Sequence, residues 1–165
     1  MKKINEYLII LIISFWGIGF IPYVSGILTL ILSSLIIFLP IANKEYFILC
    51  CAIILMLIYI PANKIFVGRM KGKEKNNVMP KAIGELLTLS SPVIVYSIGW
   101  ILTSIFVFIV FSHSSTAFDG YLKRRTKGWS VLIKDLTAGM VTVIVLHVLY
   151  AGWLISPYVL AFLGK

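Results

Sequence analysis

Long apolar runs separated by short polar ones organise the chain. Four can be read directly: Tyr7 to Pro40, Tyr46 to Val67, Ala82 to Phe111 and Leu136 to Leu163, with charges almost wholly between them. A helix needs about 20 mostly apolar residues to cross a bilayer, and every run reaches that length. The runs lack the alternation of barrel strands, and backbone amides in hydrocarbon must pair within their own segment, so helices are predicted. The expected fold is all-α: a single membrane-embedded domain over residues 1–165, a polytopic bundle with about four to six inserted helices, some short or re-entrant.

Breaks inside the runs refine this pattern. Gly17, Gly19, Pro22, Ser25 and Gly26 interrupt the first run, predicting two helical pieces, Tyr7 to Phe20 and Ile27 to Leu39. After Asn43-Lys44-Glu45, the next helix is expected to end near Pro61 or shortly after it. Lys64 to Lys81 then carries Lys64, Arg69, Lys71, Lys73, Lys75 and Lys81 against Glu74 alone, which marks a cytoplasmic loop. A second basic loop, about 113–134, holds Lys123, Arg124, Arg125, Lys127 and Lys134. If both loops are cytoplasmic, Ala82 to Phe111 must turn back near Ser90-Ser91-Pro92 or a little later, as a partly inserted hairpin. The alternative is one span that breaks the positive-inside rule.

Composition agrees with lipid as the solvent: 60% of the residues are hydrophobic and 13% charged, with a mean hydropathy of +1.02. The net charge of +9 sits in short loops beside apolar helices, so anionic lipid headgroups are the expected partner and nucleic acid is not. The adjacent Cys50 and Cys51 read as small hydrophobes facing the membrane, because neighbours on a helix point apart. Lys2 and Lys3 before an apolar run resemble a signal peptide, but no small-x-small cleavage site follows a short core, so the segment is expected to be retained.

Ionisable residues at or within apolar runs are the candidates for chemistry, since a charge at a helix centre costs about 2.5 to 3.5 kcal/mol on insertion scales. They are Glu85, Lys134, Asp135 and His147. Glu85 and Asp135 each begin a run, where a carboxylate favours the first helical turn, so helix capping is the plain reading. If both basic loops share a face, the two acids lie at one depth and can bind one Mg²⁺, a hard cation that takes carboxylate and phosphate oxygen. His147 is too far along the helix from Asp135 to share its site and reads as a buried, hydrogen-bonded histidine between helices. His113 lies at a helix end among hydroxyls. Ala138 and Gly139 suit close helix packing.

Three segments resemble the phosphatidylglycerophosphatase A family of small bacterial inner-membrane lipid phosphatases. Ile21-Pro22-Tyr23-Val24-Ser25-Gly26 occupies the place of the family's Pro-x-x-Pro-Gly-Thr-x-Gly-Ser-Leu turn; Pro22 and Gly26 fit, while Ser25, Ile27 and Thr29 depart. Gly84-Glu85 stands where the family has Asp-Glu, and Lys134-Asp135-Leu136-Thr137-Ala138-Gly139 where it has Asp-Asp-x-x-Ala-Gly, each keeping the second acid. Of the family's Phe-Arg-x-x-Asp-x-x-Lys-Pro only Phe111 survives, with Asp119 in Phe118-Asp119 as a displaced candidate. The resemblance implies hydrolysis of phosphatidylglycerophosphate to phosphatidylglycerol at the cytoplasmic face of the bacterial inner membrane, with Mg²⁺ required. In that reading Glu85 and Asp135 hold the metal, Asp119 joins them as a catalytic acid, and Lys123, Arg124, Arg125 and Lys134 neutralise the phosphate. The alternative is a family-derived membrane protein that has lost the chemistry and serves as a lipid-binding or assembly partner.

Overall fold

The computed structural model describes residues 2–21, 24–69, 77–92, 97–114 and 129–163, with side chains described outside 2–6, 67–69 and 157–163. Among the described residues the chain is helical and without strands: α1 (Lys2–Ile13), α2 (Ser25–Ser34), α3 (Lys44–Arg69), α4 (Met79–Leu89), α5 (Ile98–Ser114) and α6 (Ser130–Leu163). Two of these contain apolar stretches long enough to cross a membrane, Lys44–Phe66 and Ser130–Ser156.

The first break comes earlier than the glycines suggest. α1 stops at Ile13, and Phe15, Trp16 and Gly17 all take positive φ (51°, 60° and 88°). Only glycine adopts that backbone without penalty. Ser14 ties the turn together, donating to the Leu11 carbonyl at 3.1 Å and accepting from the Gly17 amide at 3.1 Å. A 3₁₀ turn, Ile18–Phe20, follows before α2. α2 tightens into a second 3₁₀ turn, Leu35–Phe38, whose Ile37 carbonyl accepts from Lys44 Nζ at 3.0 Å. A cation at a helix C-terminus meets unpaired carbonyls, so this contact closes the end of the α2 segment against the start of α3.

α3 does not end at Pro61. It runs on to Arg69, because proline removes a single donor and the neighbouring helices continue to hold the segment. The Ala82 to Phe111 stretch is two helices rather than one: α4 ends at Leu89, followed by Ser90-Ser91-Pro92, and α5 runs back along it, with Ser104 at Glu85 and Phe108 at Gly84. α4 also starts before its apolar run, at Met79-Pro80, proline being well suited to a first turn whose N–H groups have no helical partner.

Contacts fix the directions of the helices. α4 is the central element, with every residue buried except the half-buried Lys81 and Leu87. α3 runs antiparallel to it, since Phe66 clusters with Met79 at one end and Ile48 and Ala52 with Leu86 and Leu89 at the other. α5 is antiparallel too: Ser104 meets Glu85, and Phe108 lies against Gly84. α6 is parallel, with Leu132 beside Met79 and Ile83, and Leu146 beside Leu86 and Leu89. α2 is parallel as well, placing Gly26 at Lys81 and Ile37 at Leu89.

The end of α3, the start of α4, the end of α5 and the start of α6 gather at one end of the bundle, so the residues flanking both basic segments lie together. At about 16 Å, α4 is too short to cross a hydrocarbon layer of about 30 Å, and its ends are covered by the surrounding helices.

Candidate functional site

Two buried carboxyls sit where α4, α5 and α6 meet. Gly84 and Gly139 make that meeting possible: a Cβ on Gly84 would stand 2.5 Å from the Asp135 carbonyl oxygen, and one on Gly139 would stand 2.6 Å from the Gly84 carbonyl oxygen. Small residues allow the two backbones to touch. Thr88 secures the crossing, donating to the Gly84 carbonyl at 3.1 Å with Gly139's carbonyl at 3.5 Å.

Neither acid is a helix cap. Glu85 lies in the second turn of α4 and Asp135 in the second turn of α6, and neither helix has an acid in its first turn. Both are fully enclosed, at 0% and 1% exposure. Asp135 Oδ1 accepts from the Ser112 hydroxyl at 2.8 Å. Glu85 Oε1 has the Ser104 hydroxyl at a long 3.5 Å, and its Oε2 is buried without a hydrogen-bond partner among the described residues. A buried carboxyl oxygen left without a hydrogen bond costs about 1–3 kcal/mol, so packing alone does not explain an acid at Glu85.

The two carboxyls have different serine partners. These serines are a little over two turns apart on α5, about 12 Å along its axis. Among the described residues no group of three His, Cys, Asp or Glu is placed to hold a metal. Of the other residues expected to act with them, Lys134 is half-buried beside Asp135, while Asp119, Lys123, Arg124 and Arg125 lie outside the described residues.

Two features of the site are not legible in the spacing. Lys81 Nζ would lie 2.6 Å from a Cβ on Gly26, which puts an ammonium against the first turn of α2. α2 has no side-chain cap and no acid in that turn, so a cation and the positive end of a helix point at the same space, an arrangement suited to an anion. Tyr59 is the second: this phenol on α3 is fully buried, clustered with Met79 and Ile83 of α4 and Leu132 of α6.

His147 departs from expectation. It is exposed on the outer surface of α6, and its Nδ1 is satisfied by the Val143 carbonyl at 2.8 Å within the same helix. His113 is exposed at the end of α5. Cys50 is exposed on α3 and Cys51 half-buried, both as free thiols.

Comparisons with protein-family models, curated proteins and solved structures found no match.

Proposed function

We propose that the chain is a multi-pass helical bundle of the bacterial cytoplasmic membrane whose basic end faces the cytoplasm. There it removes the phosphate of phosphatidylglycerophosphate, as the resemblance to phosphatidylglycerophosphatase A implies. The observation that carries this reading is the convergence, at one end of the bundle, of Gly26 with Lys81, the Gly84–Gly139 crossing and Asp135. Lys81 apart, these come from the three separate segments that carry the resemblance.

Lipid as solvent is supported by the outer surface. Leu57 on α3, Phe106 on α5 and Ile144 on α6 are 62%, 67% and 62% exposed, among many other large apolar side chains. Soluble monomers rarely expose contiguous apolar patches beyond a few hundred Å². Trp100, Tyr150 and Trp153 form an aromatic group, with ring centroids 5.9 and 6.0 Å apart, at the end opposite the acids. Tyr150 and Trp153 lie about 22 and 27 Å along α6 from Asp135, close to the hydrocarbon thickness, as expected of an interfacial belt. An all-aliphatic cleft of about 450 Å³ between α1 and α3, lined by Ile9, Ile12, Ile54, Leu57, Ile58 and Ile65 among others, suits an acyl chain.

In hydrolysis a water oxygen forms a bond to phosphorus, the bond from phosphorus to the glycerol oxygen breaks, and the leaving alkoxide takes up a proton. Asp135, oriented by Ser112, receives the proton of the attacking water. Lys81 and the N-terminal amides of α2 hold the phosphate, with Lys134, Lys123, Arg124 and Arg125 adding positive charge and Asp119 a second acid. Glu85 lies deeper, against Ser104. No step is assigned to Mg²⁺.

A second reading, a bundle that binds lipid without hydrolysing it, is favoured by the separate serine partners of the two carboxyls. The experiment is phosphate release from phosphatidylglycerophosphate in detergent with and without Mg²⁺, comparing the parent with Asp135→Asn and Glu85→Gln. Activity in the parent that falls at least about a hundredfold in Asp135→Asn supports the assignment, the size expected for loss of a general base. Unchanged activity in both variants sinks the site, and a folded but inactive parent favours the second reading.

A further inference from the structure

A cluster of polar side chains between α3 and the start of α4 has no role in the hydrolysis described above. Asn77, immediately before α4, donates from Nδ2 to the Tyr59 hydroxyl at 2.9 Å and to Asn63 Oδ1 at 3.4 Å. All three are buried, at 8%, 0% and 3% exposure. Asn77 Oδ1 is itself buried with no hydrogen-bond partner among the described residues, and an orphaned acceptor costs about 1–3 kcal/mol. Simple adhesion between α3 and α4 explains the two bonds that are made; it does not explain the acceptor left over.

What remains unsatisfied has a definite chemistry. The Tyr59 oxygen accepts from Asn77, so its own proton is available, and no acceptor for it is found among the described residues. Next to it, Asn77 Oδ1 is available as an acceptor. One donor and one acceptor side by side match an alcohol, which both accepts and donates. An ammonium could serve Asn77 but not the Tyr59 proton, and it would approach the end of the bundle that carries Lys64 and Lys81. A fully ionised phosphate could serve Tyr59 but leaves Asn77 unpaired.

We propose that Tyr59 and Asn77 form a subsite for a hydroxyl group of the lipid headgroup, selecting polyol phospholipids over those without a headgroup alcohol. The subsite rests on the lipid reading of the basic end but not on catalysis. Tyr59 donates to the headgroup oxygen, Asn77 accepts its proton, and Asn63 holds the Asn77 amide in orientation.

The test is binding rather than turnover. The full chain in detergent is titrated with phosphatidylglycerol, phosphatidylethanolamine and phosphatidic acid of matched acyl chains, and the lipid-bound fractions are read by native mass spectrometry. The parent is expected to prefer phosphatidylglycerol to both others by about tenfold, the equivalent of one good hydrogen-bond pair. Tyr59→Phe and Asn77→Leu should each remove that preference and leave phosphatidic acid binding as it was. Tyr59→Phe deletes a single oxygen, so it remains informative should Asn77→Leu fail to fold. A parent without preference, equal binding of phosphatidylethanolamine, or a preference untouched in Tyr59→Phe overturns the subsite. Hydrolysis without headgroup preference would overturn the subsite and keep the phosphatase; preference without hydrolysis would do the reverse.

Discussion

Gly84 and Gly139 show how a single position can be legible for the wrong reason. In the sequence they stand beside acids and read as parts of chemical motifs or as generic small residues; in the structure each is fixed by a backbone only a few ångströms away. Gly84→Ala sets a methyl against the Asp135 carbonyl and the Phe108 ring, and Gly139→Ala sets one against the Gly84 carbonyl. Overpacking of this kind costs about 1–3 kcal/mol, and backbone neighbours have little room to yield. Both variants are expected to unfold at lower temperature in detergent, whereas Gly99→Ala, which meets nothing within 4 Å, should match the parent. Equal melting of all three would show that the helices do not cross so closely. The acids were visible from the sequence because charge is rare in apolar runs. Their burial away from the helix termini was not, since α4 begins at Met79 and α6 at Ser130, each before its apolar run. Lys81 was legible only as loop charge, and Tyr59 and Asn77 gave no signal: their significance depends on partners distant in sequence.

At the scale of elements, hydrophobic length located the helices and local chemistry moved their ends. The turn at Ser90-Ser91-Pro92 was legible from its residue types. The left-handed turn at Phe15 and Trp16 was not, because nothing in an aromatic pair announces positive φ. Pro61 misleads in the opposite direction, since one missing donor does not end a helix supported on other sides. Pro61→Ala is therefore expected to leave the helical circular dichroism unchanged and the melting temperature the same or higher. A large loss of helix would indicate that the proline shapes α3. Exposed on α3, Pro61 also lines the aliphatic cleft, so its replacement is expected to alter acyl-chain binding more than the fold.

For the whole molecule, everything attributed to the basic end depends on the fold-back between α4 and α5. Positive charge in two separate loops suggested it, and the directions of α3, α4, α5 and α6 agree with it. Sequence could not show which motif residues converge, because two acids at one end need not point to one ion, and here Glu85 turns to Ser104 while Asp135 turns to Ser112. The most direct measurement is cysteine accessibility in intact cells. In a background with Cys50 and Cys51 replaced by serine, single cysteines are introduced as Lys75→Cys, Lys127→Cys and Ala42→Cys. Lys75→Cys and Lys127→Cys are expected to be protected from an impermeant thiol reagent until the membrane is opened, with Ala42→Cys labelled from outside. Labelling of Lys75→Cys and Lys127→Cys from opposite sides would contradict a shared cytoplasmic end and with it the proposed site.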